Sequence, residues 1–339
     1  RSVKKGLTLR HVGTVLARLL KSAVPLIEAV SVTFITDPAE VGRRIDRARA
    51  IFEERDARTR GMTDEDVDVF FGCTLCQSFA PSHVCIITPQ RYANCGAISW
   101  MDGRAASRVD PKGPIFEIAK GECVDAGTGE YTGVNAVVKE KSLGNVERVQ
   151  LYSAFGFPHT SCGCFECTTF YVPECDGLGI VHRDYKGTTP TGLSFGAIAD
   201  STAGGRQVDG FHGLAFEYMR SPRFLAASGG WKRVVWLPSE VKERMKAQIP
   251  TDLWDAIPTE KDVTTVDDLV AFLREHHHPI VERMKAPEPV PVAENPGREI
   301  LQPRLAPQDT VTIPGGSVSI TLKNVKIHAE RMIIRKKQE

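Results

Sequence analysis

No charge of one sign dominates this sequence: 43 lysines and arginines face 42 aspartates and glutamates among 339 residues. A balance this even gives no field that would make nucleic acid or an anionic membrane the main partner, and partners must be argued from sites. No apolar run reaches the roughly 18 residues of a membrane span. The opening stretch RSVKKGLTLRHVGTVLARLL also lacks a small-residue cleavage site behind a clean apolar block. We therefore expect a cytoplasmic chain without membrane contact, and Arg1 in place of methionine suggests a fragment. No internal repeat is apparent. What is present is 42% hydrophobic residues, enough for one sizeable core or two smaller ones. Nine cysteines, an odd number in a long chain, suit thiols kept reduced for metals or chemistry better than a secreted disulfide framework.

Val12, Val15, Leu16, Leu19 and Leu20 recur at helical spacing, and AVSVTFIT, residues 29–36, then alternates as a strand does. Asp37, Pro38 and Glu40 form a capping signal for a helix with Val41, Ile45, Ala48 and Phe52 on one face and Arg43, Arg44, Arg47 and Arg49 on a solvated one. Between residues 70 and 238 the short apolar runs HVCIIT, RVQLYSAF, TTFYV, LGIVH and RVVWL are divided by Gly, Pro, Asn and Asp. The expected fold is mixed α/β (α+β): a mixed sheet with flanking helices and long cysteine-bearing loops. PSEVKERMKAQI and TTVDDLVAFLREHHH read as helices, the second opening with Thr265 and Asp268 in capping-box spacing. A proline-rich linker follows. Beyond it, SVSITLKNVKIHAERMIIRKK suggests a small strand pair joined near Lys323 and Asn324. The expected division is a helix–strand–helix segment over 1–58, a catalytic domain over 59–285, a linker over 286–312 and a C-terminal β segment over 313–339.

Cys73, Cys76, Cys85 and Cys95 form a C-x2-C-x8-C-x9-C series within 23 residues. Four thiols in one loop region can close around one metal centre. A structural zinc site usually brings two close cysteine pairs, and this series has one; an iron–sulfur cluster tolerates the irregular spacing better. Inert buried thiols are the bland alternative, reasonable for one cysteine and poor for four. Later in the chain, Cys162-Gly163-Cys164 can offer two sulfurs and the backbone nitrogens of Gly163 and Cys164. Those donors close one six-membered and two five-membered chelate rings. Such rings hold four donors in a plane, the geometry of nickel(II) or copper(II), and glycine leaves that plane uncrowded. The two sulfurs keep lone pairs that can bridge to a second metal with an open position.

On the stretches DEDVDVFFGCTLCQSFAPSHVC, DPKGPIF, GEYTGVN, YSAFGFPHTSCGC and GGWKRVVWLP, the sequence closely resembles the acetyl-CoA synthase subunit of the carbon monoxide dehydrogenase/acetyl-CoA synthase complex over roughly residues 60 to 240. The resemblance implies an A-cluster, a 4Fe-4S cubane joined to two nickel ions. Cys73, Cys76, Cys85 and Cys95 would ligate the cubane, with Cys76 also bridging to the proximal nickel. Cys162 and Cys164 would bridge the nickels, and the nitrogens of Gly163 and Cys164 would complete the distal site. Phe79 matches the family phenylalanine over the proximal nickel; its bland alternative is a core aromatic. The implied reaction condenses CO, a methyl group from a methylated corrinoid iron–sulfur protein and coenzyme A to acetyl-CoA. The implied partners are those molecules and the carbon monoxide dehydrogenase subunit.

Other candidates are weaker. His83 and His159 are expected either to hydrogen-bond near the cluster or to be satisfied by backbone. His276, His277 and His278 end a helix, where a metal role is not expected. STAGGRQVDGFHG, with Arg206, fits no phosphate-loop pattern and reads as a turn. Trp100, Trp231 and Trp236 read as core or pocket aromatics. Cys123, Cys167 and Cys175 are expected to be structural, with Cys167 near enough in sequence to become an adventitious ligand. The rival functions are a 4Fe-4S electron-transfer module without nickel chemistry and a zinc-stabilised interaction domain.

Overall fold

The structure, a computed structural model, describes residues 5–23, 27–284, 310–313 and 320–323. The chain divides into two units, residues 1–293 and 294–339. In the first, helix α1 (Leu9–Ala23) carries the expected apolar stripe. Residues 29–36 form no strand, contrary to their alternation. Phe34 and Val32 lie instead against the helix at Gly13, whose missing side chain makes the room, so no neighbouring strand edge meets their backbone. Helix α2 (Pro38–Ala57) begins as its sequence dictates: the Asp37 side chain accepts the Glu40 N–H at 2.7 Å and Pro38 occupies the first turn. Its arginine row is solvated, but Ile45 and Phe52 on the opposite face are also exposed. The helix is anchored near its C-terminal end, where Asp56 accepts from the Tyr92 hydroxyl at 2.9 Å.

Two sheets organise the rest. Strands β1 (Val69–Cys73), β2 (Cys85–Ile87) and β3 (Ile115–Ala119) form an antiparallel sheet in the order β2-β1-β3. Helix α3 (Trp100–Val109) packs on β1, Trp100 Nε1 donating to Val69 O at 2.9 Å. A short ladder of β4 (Cys123–Asp125) and β5 (Glu130–Tyr131) leads into α4 (Thr132–Lys141), whose Val134 and Val138 join Phe70, Ile86 and Ile118 in one core. The second sheet runs β8-β6-β7-β9, built from β6 (Cys167–Val172), β7 (Gly177–His182), β8 (Gly213–Leu214) and β9 (Val234–Trp236). Only its β7–β9 pairing is parallel, so the sheet is mixed as expected. Its faces bury Leu178, Ile180 and Val234 on one side and Phe170, Val181 and Trp236 on the other. The class is α+β.

In RVQLYSAF, Val149 and residues 151–154 are buried, but the run is not a strand. Its backbone is satisfied by loops: Tyr152 N–H donates to Thr128 O at 3.0 Å and Ala154 N–H to Ser228 Oγ at 2.8 Å. The run instead supplies Tyr152, whose hydroxyl donates to Asp64, a fully buried carboxyl that also accepts from Thr88 Oγ1 at 2.8 Å and Gln90 N at 2.9 Å. Of the two late helices, Ser239–Arg244 is shorter than expected, and Val266–Glu275 opens with the Thr265/Asp268 capping box. In the second unit, β10 (Thr310–Ile313) pairs antiparallel with β11 (Ile320–Lys323). The first of these strands begins at Thr310, within the stretch read as linker. The run expected after Asn324 lies outside the described residues.

Candidate metal centre

The first sheet delivers the early cysteines. Cys73 closes β1 and Cys85 opens β2, and the two are direct partners across the ladder. The chain between them makes a tight turn at Leu75–Ser78 that presents Cys76, then returns with Phe79 N–H and Ala80 N–H both donating to Cys76 O, at 3.2 and 2.9 Å. Cys95 sits in a turn closed by Gly96 N–H to Ala93 O at 2.8 Å, and Asn94 N–H in that turn donates to Cys85 Sγ at 3.4 Å. Gly96 has φ +71°, and any side chain there would collide with the Glu166 carboxyl. Glu166 N–H in turn donates to Asn94 O at 3.1 Å, joining the Cys95 turn to the segment that carries the later cysteines.

That segment is pinned on both sides. Ser161 O accepts from Gly205 N and Ser161 Oγ from Gly213 N, both at 2.9 Å. Thr160 Oγ1 hydrogen-bonds His83 Nδ1 at 2.8 Å. Gly163 lies at φ +89°, and Cys164 N–H reaches Cys162 Sγ at 3.3 Å, so the tripeptide is already curled with donors on one side. Gly205, at φ +82°, presses on the His83 backbone where no side chain fits. The Gly-rich loop is therefore a buttress of the site. Arg206 serves the loop itself, donating to Ala203 O and Ser201 O at 3.2 and 2.6 Å.

Five of the six expected cysteines are raised by burial and by the charges of others in the group. Burial pushes the Cys73 thiol up to about 11, and the charges of Cys76 and Cys95 add to the rise. Cys85 is driven well up by burial first, then by Cys73, with Cys162 and Cys95 also contributing. Cys76 is raised by burial foremost; a Cys162 hydrogen bond opposes that, and Cys164 and Cys95 reinforce it. Cys162 rises by burial and proximity to Cys76 and Cys164, and Cys95 by burial with Cys164 and Glu166 nearby. Thiols crowded so closely repel as thiolates, and a multivalent cation is what turns that repulsion into binding. Among the described residues, no three His, Cys, Asp or Glu side chains form a group that could hold a single metal ion.

Exposure is graded across the group. Cys73 and Cys85 are 6% exposed and Cys162 3%, Cys76 and Cys95 are intermediate, and Cys164 is open to solvent. Phe79, 57% exposed beside Cys76, is no core aromatic. His83 and His159 are buried braces. His159 Nε2 accepts the Ile86 N–H at 2.9 Å and Nδ1 meets Thr160 O at 2.9 Å; burial lowers both histidines, His83 to about 4. Cys167 faces the core with Leu178 and Ile180, which removes it as an adventitious ligand, and Cys175 lies in the opposite core. Cys123 is exposed on β4. His276 stacks on Phe272 at 3.9 Å, and His278 is buried, bonding Val234 O at 3.1 Å. Trp100 and Trp236 are buried, and Trp231 packs on Phe224 at 4.8 Å. Asn94, Arg91 and Glu166 were not singled out from sequence; each matters through contacts between segments distant in the chain.

A family model described as the C-terminal part of the ACS/CODH beta subunit matches residues 52–286, and one described as the beta subunit of the CO dehydrogenase/acetyl-CoA synthase complex matches residues 1–41. The acetyl-CoA decarbonylase/synthase complex subunit beta of Methanothermobacter thermautotrophicus is 51% identical over 340 residues, covering 98% of this chain and 74% of that protein. Subunit beta 2 of the same complex from Methanocaldococcus jannaschii is 50% identical, covering 99% of this chain and 73% of that protein. A solved C-terminal domain of an acetyl-Coenzyme A synthase alpha subunit is 36% identical over 36% of this chain and 96% of that one, with a TM-score of 0.33. With one model matching most of its length and relatives about half identical across nearly all of it, the chain belongs to the beta-subunit family of the CO dehydrogenase/acetyl-CoA synthase complex.

Proposed function

We propose that this chain is the acetyl-forming acyltransferase of its complex, a CO-methylating acetyl-CoA synthase built on a 4Fe-4S cluster and two nickel ions. The observation that carries this reading is the graded group of six thiols, buried at the sheet end and open at Cys164. Cys73, Cys76, Cys85 and Cys95 would hold the cubane. Cys76, Cys162 and Cys164 would hold the proximal nickel, and Cys162, Cys164 and the nitrogens of Gly163 and Cys164 the distal one. The donor set fits in kind: all six are free thiols, Cys76 hydrogen-bonds Cys162, and the curled tripeptide brings Cys164 N within 3.3 Å of Cys162 Sγ, while no three of these side chains converge on one ion position among the described residues.

When bound, the centre supplies the joining of CO, a methyl group and the thiol of coenzyme A. The protein's own contribution is to position and to shield. The β1–β2 ladder and the Asn94 amide fix the buried thiols, the Ser161 bonds and the Gly205 contact hold the C-G-C segment, and Phe79 screens the open side beside Cys76. The methyl donor in this reading is a corrinoid iron–sulfur protein, the CO source the carbon monoxide dehydrogenase subunit, and the compartment the cytoplasm. An electron-transfer module would use the first four cysteines and leave Cys162 and Cys164 without a task.

The test is the division of ligands. Cys162→Ala and Cys164→Ala each abolish nickel retention and acetyl-CoA synthesis while keeping the wild-type iron content. Equal loss of iron and nickel would contradict the assignment of ligands.

A further inference from the structure

We infer that Arg91 is a fixed, buried cation whose charge raises the reduction potential of the iron–sulfur cluster held by Cys73, Cys76, Cys85 and Cys95, with Asn94 fixing its place beside them; this rests on the reading above that such a cluster is bound. Arg91 is 1% exposed. Its Nε and Nη1 have no hydrogen-bond partner, and Nη2 donates to Asn94 Oδ1 at 3.3 Å. The guanidinium lies 4.4 Å from the centre of the Tyr218 ring, which offsets part of its desolvation. The side chains of His83, His159 and His212 nearby are bases and offer it no negative charge, and Asp64, the carboxyl that acts on the same Tyr218 ring, is already engaged by Tyr152, Thr88 Oγ1 and Gln90 N. A bound water could satisfy the free N–H groups but not the charge. Buried charges are paired or serve a metal centre, and the anionic group missing here is a thiolate-ligated cluster.

The position is rigid. Arg91 N–H donates to Thr88 Oγ1 at 3.0 Å and Thr88 N–H to Arg91 O at 2.9 Å, closing the turn that ends β2. Three residues on, Asn94 joins the arginine to both cysteine groups: its N–H donates to Cys85 Sγ, its Oδ1 accepts from Arg91, and its Nδ2 donates to Thr160 O at 3.2 Å beside the C-G-C segment. A cation so placed stabilises the more negative, reduced cluster through its field, and its bond to the Asn94 side chain fixes the turn whose backbone N–H donates to Cys85 Sγ. Without a cluster, the same charge is an uncompensated burden on the fold.

The experiment uses the full chain, anaerobically reconstituted with iron and sulfide, as wild type, Arg91→Met and Arg91→Lys. Cluster potential is read by spectroelectrochemistry, and thermal unfolding is read with and without the cluster. Arg91→Met is expected to bind wild-type iron and, at the wild-type midpoint, to show a reduced-to-oxidised ratio about tenfold lower, about 59 mV for a one-electron couple. Arg91→Lys restores most of that shift. Without the cluster, Arg91→Met unfolds no earlier than wild type. An unmoved potential in an iron-loaded Arg91→Met protein overturns the inference. So does an Arg91→Met protein that fails to fold without the cluster, since that marks a structural residue. A wild-type chain that takes up no iron fails before any variant is compared, and so defeats the cluster reading itself.

Discussion

Gly163 is asked for two things at once. Its φ of +89° is costly for any other residue, and a Cβ there would sit 3.4 Å from the Ala203 side chain, against the buttressing loop. Gly163→Ala is therefore expected to cost about 1 kcal/mol of stability and to lower nickel retention, measured by metal analysis beside denaturant unfolding. The sequence suggested this glycine from chelate geometry; the positive φ is a second, independent demand that only the structure reveals. Phe79 differs: spacing alone could not tell a screening residue from a core one, because exposure depends on what packs above it. At 57% exposure little packing is lost on truncation. Phe79→Ala should leave metal content unchanged and stability within about 0.5 kcal/mol, yet alter the CO concentration that inhibits acetyl-CoA synthesis. Wild-type CO behaviour in that variant would remove the screening role.

Elements were legible where local rules suffice. TTFYV, LGIVH and RVVWL became β6, β7 and β9, and the Thr265/Asp268 box caps its helix because both bonds are made within four residues. Thr265→Ala is expected to destabilise by about 1 kcal/mol without changing metal uptake, as seen in thermal melts and iron content. Elements whose pairing is distant were not legible. VFFGC and IFEIA pair with each other across some forty residues of chain as β1 and β3, and neither alternates cleanly, because β1 is buried from Phe70 onward. RVQLYSAF misled in the opposite sense, since Tyr152 is there to meet Asp64 and its backbone bonds go to loops. The same limit applied to the site. Cysteine spacing named the thiols, whereas Asn94, Glu166 and the Gly205 contact arise only when four loops meet.

Among the described residues, four histidines are buried uncharged: His83 and His278 are lowered to about 4, His212 to about 3 and His159 well down, each chiefly by burial. The unfolded chain takes up these protons near the ordinary value of about 6.5 and the folded chain does not, so stability is full above that pH and falls as pH drops toward 4. The denaturation midpoint should decline steadily through that window, and His278→Gln, far in sequence from the thiols, should make the decline shallower. A midpoint flat from pH 6.5 to 4 would contradict the burial of neutral imidazoles. The central claim concerns metals, and it is tested most directly by measuring iron, nickel, copper and zinc per chain on anaerobically purified protein. The expected result is about four irons and up to about two nickels, with copper or zinc able to displace nickel at the three-thiolate position. Iron without nickel, even after nickel reconstitution, would contradict it in favour of electron transfer, and zinc alone would leave only a structural site.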